Sequence, residues 1–501
     1  MQVLTLPNLS GKFVDKRYNS TGVATLTNTL LDAYSVVWSK LGAAKAPSPS
    51  DFAMKEVWPE HQKRSPILCL RPSTAIGLPL CVLWDGFRTF IVNTSDPNTI
   101  PSPAGRQAGA SLCETMGDSF ESEDERSSVI GASLEPVVPN WRSQYRVEPY
   151  AGIVLGQIDR VLPLCIVRED NWESTTTQSD IYMKTSRSYE ILVQELRSKG
   201  TCPGYLAAGA PAFLMCFLGP ILLVCGGFFD GERTIVEPLI DPVIMLRGHT
   251  MTKQRRLAVV LSVLHDRLSD ITKLTNTPRL YQECKLIGSE EVAQLQFQTP
   301  LTKDAFGAVN RPIFLATLHR SSTFPSIEDV VVKMVAESYG ADVHQLLAKE
   351  GLAPKLYAVS SKTGIPNAYV MERLPQQWVT LYSLAEDSPS DFEQYSQGIL
   401  NKLKHVITVL KQQGYVHGDF RSNNIMINTN TLGDESKVDI KIVDFDWSGK
   451  AQVAHYPGSR NPNITWPGIP GGPVEQGDDE VLFRSWWQET VKDVRKKLMV
   501  Y

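Results

Sequence analysis

Apolar positions along the chain first recur at helical spacing over residues 23–41, and a small-residue connection containing proline follows at 44–50. The pattern then shortens: residues 67–70, 80–84 and 87–92 have the apolar, aromatic character of strands. Residues 93–133 are rich in Ser, Pro, Gly, Asp and Glu and contain the acidic run Glu121-Ser122-Glu123-Asp124-Glu125, which predicts a solvated, disordered loop. Strand-like runs return at 153–159 and 162–167. A helix is predicted over 188–198, with Tyr189, Leu192, Val193 and Leu196 on one face. No charge occurs from Cys202 to Phe229, a length that would suit a membrane span. Pro203, Pro211 and Pro220 interrupt it, and no Lys/Arg cluster flanks it, so 212–218 and 221–225 predict a buried hairpin turning at Gly219-Pro220.

Beyond residue 246 the pattern changes again. Leu257, Val260, Leu261, Leu264, Leu268 and Ile271 predict an amphipathic helix over 253–274 joining two units, with its polar face in solvent. Strands are predicted at 294–298, 313–318, 330–335 and 367–371, and helices at 342–349, 391–413 and from 480 onward. The expected division is an α/β or α+β unit over 1–248, a linker helix over 249–280 and a second α+β unit over 281–501.

Composition narrows the class little: 42% hydrophobic and 21% charged residues describe an ordinary globular chain. A formal net charge of -4 supplies no general drive toward nucleic acid or anionic membrane. The 8 cysteines form no C-x-x-C pair, which predicts reduced, buried thiols rather than a disulfide framework or zinc site. The first residues lack a basic region followed by an apolar core, so no secretory signal is read and an intracellular location, cytoplasmic or nuclear, is expected.

The densest chemistry lies in Val416-His417-Gly418-Asp419-Phe420-Arg421-Ser422-Asn423-Asn424-Ile425, followed by Ile442-Val443-Asp444-Phe445-Asp446-Trp447. Apolar runs at 425–427 and 438–443 flank a polar tip, so a hairpin brings Asp419, Asn424 and Asp444 to one end. Two carboxylates and an amide oxygen are hard ligands suited to Mg²⁺ bridging phosphates. The spacing H-x-D-x-x-x-x-N, then a strand, then D-F, is that of a phosphotransferase catalytic loop.

These residues, together with Val332-Lys333, Tyr339-Gly340, His344 and Gly351-Leu352-Ala353-Pro354-Lys355-Leu356, resemble the protein-kinase-like superfamily. Within it the likeness is to the kinase-like proteins of fungi that accompany Crinkler-type effectors. The resemblance implies a bilobal protein-kinase-like domain with a shortened C-lobe, preceded by a separate α/β or α+β domain. It implies ATP and Mg²⁺ as cofactors. Lys333 would place its charge on the α- and β-phosphates, held by a carboxylate from the next helix, Asp342 first and Glu337 second. Asp419 would accept the proton of the acceptor hydroxyl, Arg421 would neutralise charge near the γ-phosphate, and Asn424 and Asp444 would hold Mg²⁺. Glu372, Arg373 and Leu374 would form the hinge that binds adenine, while His344 would pack rather than react.

Departures from the pattern matter. Gly418 stands where an Arg usually precedes the catalytic Asp, Asp446 stands where D-F-G has Gly, and no A-P-E follows. Asp446 reads equally as a further Mg²⁺-facing carboxylate or as an exposed turn acid. No G-x-G-x-x-G precedes Lys333; Gly288 and Gly307 are isolated. The expected activity is phosphoryl transfer from ATP to a protein Ser/Thr hydroxyl. A small-molecule kinase of aminoglycoside or choline type, a nucleotide-binding pseudokinase, and added nucleic-acid binding by the first unit are the alternatives. The last draws on Asp159, Glu169 and Asn171, which resemble a degenerate restriction-endonuclease-like core with Asn where Lys is wanted.

Overall fold

A computed structural model describes residues 53–54, 57–64, 67–71, 75–138, 143–145, 151–154, 166–171, 180–198, 200, 203–247, 251–271, 281–301, 313–320, 327–335 and 338–499. The helix expected at 23–41, and Asp159, Gly307 and Glu337, lie outside these residues, as do the side chains of Glu169 and Asn171.

In chain order the first helices are α1 (Trp58–Arg64), α2 (Leu80–Leu83), α3 (Asp85–Ser95), α4 (Pro103–Thr115) and α5 (Glu123–Leu134). Two expectations fail here. The strands expected at 80–84 and 87–92 are helical on either side of an extended Trp84, and Trp84, Phe87 and Phe90, spaced every three residues, converge on Phe213, with ring centroids 6.0, 5.4 and 5.1 Å from it. The loop expected over 93–133 is largely two capped helices. Ser102 Oγ accepts from Gly105 N at 3.1 Å with Pro103 opening α4, and Ser122 Oγ accepts from Glu125 N at 3.1 Å at the start of α5.

The strands β1 (Ser143–Tyr145), β2 (Ala151–Val154) and β3 (Ile166–Asn171) lead through α6 (Ile181–Ser198) and α7 (Pro203–Ala207) to β4 (Ala212–Leu218), β5 (Ile221–Phe229), β6 (Thr234–Pro238) and β7 (Val243–Ile244). They form one sheet in the order β1-β2-β3-β4-β5-β6, with β7 on β5; β3 and β4 are parallel and β4 and β5 are the expected apolar hairpin. Among the described residues no helix is long and apolar enough to cross a membrane.

Helix α8 (Met251–Ile271) is amphipathic as expected, with Arg255 and Arg256 exposed. Its expected inward face, Leu257, Val260, Leu261, Leu264 and Ile271, is buried in the same hydrophobic cluster as the sheet. It lies hard against α4, where a Cβ on Gly105 would sit 2.6 Å from Ala258 O.

Strands β8 (Tyr281–Leu286), β9 (Val292–Pro300), β10 (Ile313–His319) and β11 (Ile327–Val335) are followed by helix α9 (Ala341–Lys349). After them come β12 (Leu356–Ser360) and β13 (Asn367–Met371). The six strands close into a barrel, β10-β11-β13-β12-β8-β9. Leu78 and Val82, just before α2 and within it, pack against the barrel's interior cluster. The remaining chain adds β14 (Trp378–Thr380), α10 (Leu381–Asp387), α11 (Pro389–Gln412), β15 (Tyr415–Val416), β16 (Ile425–Asn428), β17 (Ile440–Ile442), β18 (Gly449–Lys450) and α12 (Asp478–Leu498). Apolar faces of α9, α10, α11 and α12 close a further core around Phe392, Leu403, Phe420 and Phe445.

Candidate functional site

A cleft of about 1130 Å³ opens between the barrel and this last core. Period-two alternation on β11 explains one wall: Val330, Val332 and Met334 fill the barrel, so Val331 and Lys333 face the cleft. The opposite wall follows from the β16–β17 hairpin, whose register Ile425↔Ile442 and Ile427↔Ile440 buries all four isoleucines. Val443 N donates to Asn424 O at 2.9 Å, so the loop before β16 and the turn after β17 end side by side.

Asp419 is 2% exposed. Arg421 grips it from one side, Nε to Oδ1 and Nη2 to Oδ2, and Asn424 Nδ2 donates to its Oδ2 at 2.9 Å and to its backbone carbonyl at 2.9 Å. Lys333 Nζ lies 2.5 Å from Asp444 Oδ1 and 2.5 Å from Asp446 Oδ1. Asp444 holds φ of 73°, a left-handed conformation rare for a residue with a Cβ and often found at functional positions. Four of the expected residues, Lys333, Arg421, Asn424 and Asp444, thus line the cleft together, and the fifth, Asp419, is buried against Arg421 and Asn424.

Glu372, Arg373 and Leu374 line the same cleft. Glu372 N donates to Lys355 O at 2.9 Å, which takes its amide out of use, whereas the backbone groups of Arg373 and Leu374 enter no hydrogen bond among the described residues. Gly288 sits at the β8–β9 turn with φ of 73° and does not line the cleft. The ends of β9 and β10 do, through Leu301 and Ile313.

Asp342 is not Lys333's partner. The inward face of α9 is Val343, His344 and Leu347, which turns Asp342 into solvent in the first turn, where its charge suits the helix dipole. Among the described residues the carboxylates against Lys333 are those of Asp444 and Asp446, so Asp446 is no idle turn acid. His344 packs, as expected. Its ring stacks on Phe445 at 4.4 Å, Nε2 donates to Pro354 O at 2.9 Å, and Nδ1 accepts from Tyr339 OH at 2.8 Å. Burial lowers its pKa to about 4 and does the same for His417, so both rings are neutral near pH 7.

Gly418 has a steric reason to replace Arg. Its φ is 81°, and a Cβ there would stand 2.7 Å from Trp447 O. Gly340 is equally confined, 2.6 Å from Ser448 O, while its N–H donates to Phe445 O at 2.9 Å and ties α9 to the Asp444 turn. Sequence reasoning missed Asp479. This buried carboxylate at the start of α12 accepts from His417 N at 2.6 Å and Gly418 N at 2.8 Å, fastening the loop that carries Asp419. The acidic triplet opening α12 was its only trace.

Neither a protein-family model nor a curated protein matches the chain. Among solved structures, the Cydia pomonella granulovirus kinase PK-1 matches 39% of this chain and 68% of its own, at 13% sequence identity and a TM-score of 0.29. A superposition that loose carries no argument, and the chemistry of the site stands on its own geometry.

Proposed function

We propose that the chain is an ATP- and Mg²⁺-dependent phosphotransferase that moves the γ-phosphate to a hydroxyl, with Ser/Thr of protein as the leading acceptor. The observation that carries this reading is that Lys333, Asp444 and Asn424 line one cleft with Arg373 and Leu374, with Asp419 hydrogen-bonded to Asn424 behind it. The resemblance to kinase-like proteins that accompany Crinkler-type effectors points the same way.

The donor set fits Mg²⁺. Among the described residues no three His, Cys, Asp or Glu side chains form a metal cage. Mg²⁺ held by one or two carboxylates and substrate phosphates needs none. Asp444 and Asn424 would hold the ion, which when bound neutralises phosphate charge. Lys333 would exchange its carboxylate partners for phosphate oxygens, a point charge on a strand-fixed stem. Asp419, released from Arg421, would orient the acceptor hydroxyl and take its proton, and Arg421 would be left facing the transferred group. The backbone of Arg373 and Leu374 would receive adenine. The buried free thiols fit a reducing compartment, and we place the protein inside the cell.

A small-molecule acceptor is the second reading, favoured by Gly418 and by Asp446 at the Lys333 site. The test is transfer from labelled ATP with Mg²⁺ to the protein itself and to generic protein substrates. Asp419→Asn should lower transfer about 10²–10⁴-fold, the range for removing a positioned base. Unchanged turnover in Asp419→Asn would refute the assignment.

A further inference from the structure

Beyond Trp447 the chain runs through residues 451–473 and folds back beside the catalytic loop. Tyr456 N donates to Gly472 O at 2.9 Å and His455 bridges Pro473, closing this segment at its base. Its aromatic rings gather at one point, Trp447 to Trp466 at 5.3 Å and Tyr456 to Trp466 at 6.2 Å. The Trp466 ring then receives two guanidinium groups, Arg421 Cζ at 5.2 Å and Arg460 Cζ at 5.2 Å, and Arg460 also lies 4.7 Å from the Tyr456 ring. One of those arginines is the group that grips Asp419.

The charges of this corner do not balance. Arg421 is matched by Asp419, but Arg460 meets no carboxylate among the described residues. Its Nη2 donates to Gly468 O at 2.8 Å, while Nη1 is shielded from solvent with no hydrogen-bond partner. The neighbouring acids are engaged: Asp478 by Tyr456 OH at 3.1 Å and Glu475 N at 2.9 Å, and Asp479 by the amides of His417 and Gly418. A shielded guanidinium N–H without an acceptor costs free energy that an oxyanion would relieve. A cationic acceptor would meet like charge at the same place.

We infer that the acceptor phosphorylated here carries a carboxylate or phosphate beside its hydroxyl, and that Arg460, framed by Tyr456 and Trp466, forms the subsite that reads it. The inference rests on the phosphotransfer reading above. It separates this site from kinases whose acceptors are cationic alcohols. The same chemistry is offered by an acidic Ser/Thr peptide or by a small anionic alcohol.

The full chain with labelled ATP and Mg²⁺ should be offered Ser peptides of equal length flanked by Asp/Glu, Ala or Lys/Arg. Glycerate and glycerol phosphate serve as anionic alcohols, and choline and kanamycin as cationic ones. Wild type should prefer acidic over basic acceptors by about tenfold or more in kcat/KM at low salt, with the preference shrinking in about 0.5 M salt as charges are screened. Arg460→Gln should bring the ratio close to one and Arg460→Glu should invert it. Because each ratio is taken within one preparation, loss of folded protein lowers both members and leaves the ratio unmoved. Transfer to acidic peptides assigns the source to protein; transfer to glycerate or glycerol phosphate alone assigns it to a small molecule. Preference for basic or cationic acceptors, or a ratio untouched by Arg460→Glu, overturns the inference and leaves Asp419-dependent transfer standing. No Asp419-dependent transfer to any acceptor overturns both.

Discussion

Replacing Asp479 by Asn keeps the shape of the side chain that fastens the Asp419 loop and removes its charge. Burial raises the Asp479 pKa from 3.8 to about 6, against the pull of the two amides it accepts from, with Asp478 and Asp419 adding repulsion. A displacement of that size corresponds to about 3 kcal/mol at about 1.4 kcal/mol per pH unit. The folded state holds this proton more tightly than the unfolded chain does. The contribution to stability is therefore greatest below about pH 4, declines up to about pH 6 and is flat above. Asn never ionises, so at pH 7.5 it recovers about 3 kcal/mol, but its amide NH₂ leaves one buried donor of His417 or Gly418 unmatched, at about 1–3 kcal/mol. The two effects nearly cancel, and urea unfolding at pH 7.5 should shift by no more than about 2 kcal/mol. Activity should not be spared. A loop shifted by about 1 Å costs up to about 100-fold in rate, so kcat should fall about 10–100-fold. In wild type kcat should drop as pH falls through about 6, when Asp479 takes up its proton; Asp479→Asn should lack that limb. Wild-type kcat with an intact acid limb in the variant would refute the positioning role, and destabilisation beyond about 4 kcal/mol would refute the cancellation.

Gly418→Ala should destabilise by about 1–3 kcal/mol by thermal or urea unfolding, since it combines a φ of 81° with a contact 2.7 Å from Trp447 O; a neutral result would mean that the turn relaxes freely. Asp446→Asn and Asp342→Asn form a matched pair for Lys333. The first should lower kcat/KM for ATP about tenfold and the second less than about twofold, because Asp446 touches Lys333 and Asp342 faces solvent. A larger effect from Asp342→Asn would restore the helix carboxylate to that role.

What could be read from the chain follows from how far apart the interacting groups lie. The hairpin carrying Asp419, Asn424 and Asp444 was legible because strand period and turn composition decide it locally, and Lys333 because alternation on β11 leaves it opposite the apolar positions. That Asp342 turns away from Lys333 was not legible: each residue advances a helix by about 100°, so which side of α9 faces inward separates a buried acid from an exposed one. Asp479 stands 62 residues from the His417 amide it holds, and Arg460 and Arg421 share the ring of Trp466, contacts that no local pattern encodes. Residues 93–133 misled for another reason. Ser and Pro begin helices as readily as they fill loops, and Gly105 is small because α8 passes against it. The same residue types thus carry opposite meanings, and only the neighbour in space decides between them. At the Asp419 loop the ambiguity has chemical weight: Gly418, which reads as the loss of a regulatory arginine, is the residue its backbone angle and Trp447 demand.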